Sequence, residues 1–223
     1  MKLSVIASGI ALALALGGCQ STQTTQTGTA SAAVAQQNDK VFSQDYVLEE
    51  LDNGLRVMVV KTDYPDVVSL QIPVSVGSRN EVEAGKTGFA HFFEHMMFKG
   101  SEKFPADVYA DIMKNSGVDN RAYTTNDYTN YHLNFSKQHL DKVLEVKADV
   151  FQNLTYSEEQ FRTEALTVKG EYLKNNASPI RKLLAAVRKE AFDKHTYKHT
   201  TMGFFEDIEA MPDQSAYGKT FFE

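Results

Sequence analysis

The chain has 223 residues, 42% of them hydrophobic, and is long enough to bury a substantial core. Its formal net charge is -6 at pH 7, whereas a nucleic-acid-binding domain usually carries a clustered basic surface. We therefore expect a folded protein that does not bind nucleic acid.

The first segment, MKLSVIASGIALALALGGC, has one early lysine, an apolar run to Leu16, and then small residues before the only cysteine, Cys19. The run is too short for a comfortable membrane span and lies where a secretory signal is expected. Its ending, LGGC, resembles the lipobox of bacterial lipoproteins, in which the cysteine is acylated and becomes the first mature residue. An ordinary secretory signal is the alternative, but a lone cysteine has no disulfide partner in the chain. We predict a lipoprotein signal peptide over residues 1–18 and a lipid anchor at Cys19.

Residues 19–40 are predicted to form a flexible tether. From Gln20 to Asn38 the sequence has no charged or aromatic residue and no periodic apolar face, so it cannot bury enough surface to fold. A flexible coil of about twenty residues spans roughly 25 Å root-mean-square. The expected location is the bacterial cell envelope, facing the periplasm. Gln20 is not the aspartate associated with inner-membrane retention in some bacteria, which favours the outer membrane.

The folded part, residues 41–223, is predicted to begin with strands. Extended segments between Tyr46 and Glu81 are broken by turn-forming residues at 52–54 and at 63–66. The Asn-Gly pair in the first of these turns predicts a hairpin. A second extended region, NRAYTTNDYTNYHLNFS, is rich in threonine and tyrosine and predicts further strands.

Helical periodicity follows each of these extended regions. Ser157 followed by Gln160 is a capping-box start for a helix. Helices are predicted over 88–98, from Pro105 to before Gly117, along the stripe Leu140, Val143, Leu144, Phe151 and Leu154, over 157–175, over 180–192, and within the final YGKTFFE. The order of elements predicts an α+β domain in which helices cover a mainly antiparallel sheet.

Two of the six histidines, His91 and His95, lie four residues apart, and Glu94 directly precedes the second. A helix places residues four apart on one face, so both rings can approach one ion. Histidine suits zinc, and a catalytic zinc site needs three protein ligands and an open position for water. Glu94 is placed to take a proton from such a water. The motif alone leaves open an amphipathic helix with surface histidines.

A carboxylate pair on a later helix supplies candidates for the third ligand. Glu164 and Glu171 are seven residues apart, or about two helical turns, and so share a face. One can bind the metal while the other accepts a hydrogen bond from a ligand histidine and fixes its ring. Without further context, two glutamates on a helix are more often solvated charges.

The pattern as a whole resembles the pitrilysin and insulysin family of zinc peptidases. It has the H-x-x-E-H order of inverzincins and a glutamate 76 positions beyond the second histidine, with another seven before it. The surrounding segments LDNGLRV, VGSRNE, TGFAHFFEHMMFKGS, AYTTNDYTNY and HTYKHTTMG also look like that family's N-terminal catalytic domain. The resemblance covers about Tyr46 to Glu223.

The resemblance implies a function and a role for each site residue. His91, His95 and Glu171 would bind one zinc ion (Zn2+) per domain, Glu94 would be the catalytic base, and Glu164 the supporting acid. The expected activity is hydrolysis of peptides or unfolded protein segments. The alternatives are a non-catalytic binding or assembly subunit, although such relatives generally lose motif residues, and a lipoprotein that binds zinc without hydrolysis.

The chain also departs from the family pattern. Arg121-Ala122 stands where the family often has Asn-Ala lining the substrate cleft, with Asn120 as a neighbouring amide. The chain ends inside a predicted helix that in the family leads to a second homologous domain, which closes over the substrate. We therefore expect a single pitrilysin-like half-domain, truncated at its C-terminus, whose partner is such a domain or subunit.

Four further histidines are assigned to structural roles. His195 and His199 repeat the four-residue spacing, but HTYKH has no adjacent acid and its neighbours suit a loop. His132 and His139 stand alone. The apolar residues beside the metal motif, Phe92, Phe93, Met96 and Met97, are predicted to be the packing face of their helix.

Overall fold

The computed structural model describes residues 44–222. The predicted signal peptide, Cys19 and the predicted tether lie outside the described residues. The chain divides into two compact units after Lys61. Between residues 44 and 222, no helix combines the length and apolarity needed to cross a membrane.

A β-hairpin forms the described part of the first unit. Its strands are β1 (Tyr46–Glu50) and β2 (Arg56–Val60), which pair in antiparallel register. Gly54 adopts a φ of 82° in the connecting turn, and its N–H donates to the carbonyl of Leu51 at 2.8 Å. Glycine adopts a positive φ more readily than other residues, and the antiparallel pairing confirms the hairpin predicted from the Asn-Gly pair.

The second unit contains a three-stranded antiparallel sheet. Its strands are β3 (Val67–Val74), β4 (Asp119–Thr124) and β5 (Thr129–Ser136). They lie in the order β3-β5-β4, so β5 is central. The turn between β4 and β5 is closed by the N–H of Thr125 donating to the carbonyl of Tyr128 at 2.8 Å. This hairpin carries the threonine-rich segment that was predicted to be extended.

Helices make up most of the remaining second unit. They are α1 (Phe89–Met96), α2 (Ala106–Asn115), α3 (Leu140–Asn153), α4 (Glu158–Asn176), α5 (Pro179–Ala191), α6 (Phe205–Ala210) and α7 (Ser215–Phe222). At the start of α4, Ser157 Oγ accepts from the N–H of Gln160 at 3.1 Å, and Gln160 Oε1 accepts from the N–H of Ser157 at 2.7 Å. The predicted capping box is therefore present, and the predicted α+β class is confirmed.

Two details of the helix predictions are wrong. Helix α1 ends at Met96 rather than at Phe98, because the N–H of Phe98 bonds to the carbonyl of His95 and tightens the chain into a turn. On α3, Leu144 is 43% exposed although it was placed in the apolar stripe. The buried face of α3 consists of Val143, Val146, Lys147 and Val150.

The core of the second unit has two parts. One lies between the sheet and helices α2 and α3. The other lies between α1, α4 and α6, where the rings of Phe92 and Phe161 have centroids 4.5 Å apart. All four residues predicted to be the packing face of α1 are buried. Burial of this face leaves the opposite side of α1 for polar side chains.

Candidate metal centre

Helix α1 begins at a position that requires glycine. Gly88 is its N-cap with a φ of 93°, and an added Cβ would lie 2.4 Å from Cδ1 of Ile208. A non-glycine residue there would carry both backbone strain and a steric clash. The tight packing fixes where α1 starts, and with it the positions of His91, Glu94 and His95.

Three side chains from two helices converge at this face of α1. His91, His95 and Glu171 each offer a ligand atom, and these atoms lie within 4.8 Å of one another. Oε2 of Glu171 is 3.8 Å from Nε2 of His91 and 3.5 Å from Nε2 of His95. Ligand atoms about 2.0–2.1 Å from a tetrahedral zinc ion are roughly 3.3 Å apart. The donor set fits zinc, and the two separations from Glu171 exceed this spacing by only a few tenths of an ångström.

The protonation of His91 suits a metal ligand. Burial, followed by the neighbouring charge of His95, lowers the pKa of His91 to about 4. The two imidazole rings lie edge to face with centroids 4.8 Å apart. A neutral imidazole has a free lone pair for a metal, so His91 is in the required form at neutral pH.

His95 is oriented by a carboxylate on α4. Nδ1 of His95 donates to Oε1 of Glu164 at 2.8 Å, since a carboxylate can only accept. This hydrogen bond raises the pKa of His95 and lowers that of Glu164. Lys99 Nζ is 2.5 Å from the other oxygen of Glu164. Glu164 therefore fixes the tautomer that turns Nε2 of His95 towards Glu171.

Glu94 lies on the same face of α1 and is held by the β4 strand. Oγ1 of Thr124 donates to Oε2 of Glu94 at 2.5 Å. Burial is the main cause of the raised pKa of Glu94. A carboxyl group with a raised pKa is a better proton acceptor near neutral pH than an ordinary glutamate. Neither Thr124 nor Lys99 was singled out from the sequence.

The second histidine pair does not gather ligands. His199 is buried, with Nδ1 3.7 Å from Oε2 of Glu81. Among the described residues, the only group of three histidine, cysteine or acidic side chains close enough to share an ion is His91, His95 and Glu171. The amide of Asn120 donates to the hydroxyl of Tyr109 at 2.7 Å rather than being free to contact a substrate.

Comparison with known protein families matches residues 56–203 to Insulinase (Peptidase family M16). The chain belongs to this family. One M16 relative is the zinc protease PqqE of Helicobacter pylori, which is 35% identical over 161 residues. The alignment covers 71% of this chain and 36% of that relative, so the chain spans about a third of its length.

Solved structures of M16 proteases have the same fold. A protease from Helicobacter pylori matches with a TM-score of 0.74 and 32% identity, over 81% of this chain and 44% of that one. The first half of the periplasmic protease PqqL from Escherichia coli matches with a TM-score of 0.67 and 26% identity, over 80% and 40% of the two chains. The chain matches less than half of each of these structures, and the likeness confirms the predicted pitrilysin-like half-domain fold.

Proposed function

We propose that this chain is the metal-binding half of a zinc-dependent endopeptidase that hydrolyses peptides or unfolded protein segments in the bacterial cell envelope. The observation that carries this proposal is the convergence of His91, His95 and Glu171 beside Glu94. The zinc proteases among the M16 relatives support it.

The chemistry follows from the roles of these side chains. His91, His95 and Glu171 would hold zinc, which when bound polarises a carbonyl oxygen and lowers the pKa of a water molecule. Glu94 takes a proton from the attacking water and later delivers it to the leaving amine. Thr124 keeps the Glu94 carboxylate in place through its 2.5 Å hydrogen bond. Glu164 holds the ring of His95.

A non-catalytic binding or assembly subunit is the alternative function. Such a protein would need the fold but not the complete set of ligands and base. This chain retains all five residues, and the clustered ligand atoms together with the hydrogen bonds of His95 and Glu94 support a catalytic role. These contacts favour the catalytic function.

The first prediction concerns the isolated half. We expect residues 20–223 to bind about one zinc ion, as one set of three ligands requires, and to hydrolyse peptides very slowly. A peptidase must also hold its substrate in register, and positional restraint supplies several kcal/mol of the barrier reduction. The measurements are zinc content by atomic absorption and cleavage of a quenched fluorescent peptide.

Adding a homologous second domain, fused or as a separate subunit, should raise the cleavage rate by orders of magnitude. The control is the same second domain alone. Full activity of residues 20–223, unchanged by the added domain, would contradict the role of the second half. Absence of bound zinc would contradict the proposed function itself.

The second prediction concerns location. We propose that Cys19 is lipidated and attaches the protein to the outer membrane, facing the periplasm; a periplasmic relative, PqqL, supports the compartment. Cys19→Ser should move the protein from the membrane fraction to the soluble fraction, because stable attachment requires acyl chains that the serine cannot receive through this pathway. Fractionation followed by immunoblotting measures this, and unchanged partitioning would contradict lipidation.

A further inference from the structure

A second buried carboxylate lies at the start of the metal-bearing helix. Glu81 is 3% exposed, and its two oxygens accept from the backbone N–H groups of Gly88 and Ala90, each at 2.8 Å. The first N–H groups of a helix have no partner within it, and a carboxyl oxygen can accept from them. Glu81 thus replaces a missing N-cap side chain, since Gly88 has none.

Other side chains hold the loop between Glu81 and α1. Oδ2 of Asp207, on α6, accepts from the N–H of Thr87 at 3.1 Å and from its hydroxyl at 2.6 Å. Oγ1 of Thr87 also accepts from the N–H of Phe204 at 2.8 Å. The charged and titratable groups facing Glu81 include His199, Asp207 and Tyr217. Glu81 and the loop that follows it are therefore held by residues 199–207 as well as by α1.

The hydrogen bonds of Glu81 are made directly before the candidate metal ligands of α1. Ala90, which donates to Glu81, is followed by His91, and α1 is only eight residues long. A helix this short makes few bonds of its own, so a contact at its first turn helps to set its rotation and axial position. Misplacement of reacting groups by about 1 Å can cost about 100-fold in rate.

We infer that Glu81 is a positioning residue for the metal centre, holding α1 so that His91 and His95 meet Glu171. This inference rests on the proposed zinc site. It assigns a role to an acidic residue that touches neither the metal ligands' side chains nor the base. The alternative is that Glu81 stabilises the fold without affecting the geometry of the centre.

Three variants separate these roles. Glu81→Gln keeps the shape but replaces one accepting oxygen with an amide group that cannot accept from a backbone N–H. Glu81→Asp keeps the carboxyl group with a shorter reach. Glu83→Gln is the matched control, because Glu83 is exposed on the same loop. Burial raises the pKa of Glu81 to about 8, so the parent and all variants are compared at the same pH.

The readouts are zinc affinity by chelator competition, the visible absorption spectrum of the cobalt-substituted protein, and urea unfolding of the metal-free protein. We expect Glu81→Gln to weaken zinc binding by about 10–100-fold, as loss of a supporting contact typically does, and to shift the cobalt spectrum. Glu81→Asp should lie between Glu81→Gln and the parent in both respects. Glu83→Gln should match the parent.

A Glu81→Gln protein that unfolds more easily but keeps the parent's zinc affinity and cobalt spectrum would overturn the inference and leave a purely stabilising role. Should Glu81→Gln not fold, Glu81→Asp decides, and parental affinity and spectrum in that variant would equally overturn it. Failure of the parent to bind zinc or cobalt is a different result, which overturns the proposed function on which the inference rests.

Discussion

Glu94→Gln is expected to retain bound zinc and to lower kcat by about 10²–10⁴-fold, the range that a general acid-base group contributes. The substitution removes the proton acceptor but no metal ligand, and the amide keeps the size of the side chain. Thr124 can still donate to the amide oxygen at this position, so the local packing should persist.

The measurement is peptide cleavage at saturating substrate, together with zinc content, in a protein complete with a second homologous domain. Glu102→Gln is the matched control because Glu102 is exposed on the segment after α1. Parental activity in Glu94→Gln would remove Glu94 from the mechanism. Loss of zinc from this variant would instead assign Glu94 to the ligand set.

Glu171→Gln is expected to lose zinc affinity by more than about 100-fold, because it replaces an anionic ligand with a weakly coordinating neutral amide. The carboxylate lies 3.5 Å and 3.8 Å from the two histidine nitrogens and has no substitute among the clustered groups of the described residues. Activity should fall in parallel. Equilibrium dialysis against buffered zinc measures the affinity.

Glu164→Gln, two turns earlier on the same helix, is expected to lower zinc affinity less than Glu171→Gln does. It replaces the charged acceptor of the His95 hydrogen bond with a neutral amide and removes no ligand, so its zinc affinity should fall by about 10–100-fold. Glu159→Gln, on the exposed first turn of α4, should match the parent. Unchanged zinc binding in Glu171→Gln would mean that the third ligand lies elsewhere.

Local patterns were sufficient to predict much of this arrangement. The four-residue spacing of His91 and His95, and the seven-residue spacing of Glu164 and Glu171, each place a pair on one helix face. Turn chemistry at Gly54 and the capping box at Ser157 are also set by neighbouring residues in the chain. Such short-range patterns can be predicted because they depend only on residues within one helix or turn.

The unpredicted features depend on distant contacts. Thr124 meets Glu94 across 30 positions of sequence, and Asp207 meets Thr87 across 120. Nothing in the local pattern of either residue distinguishes it from an ordinary strand or helix residue. Leu144 was misplaced for a related reason: tertiary packing selects which side of α3 is buried, and its periodicity allowed more than one choice.

The aromatic packing between α1 and α4 limits how this protein can be engineered. Phe92 and Phe161 pack at 4.5 Å, with Ala165 and Val168 fully buried beside them. Enlarging or shrinking these side chains would shift the distance between two helices that together carry the candidate ligands, the base and the supporting acid. Stabilising substitutions in this core are therefore expected to disturb the candidate metal centre as well. Thermostable variants are better sought on exposed surfaces remote from both helices.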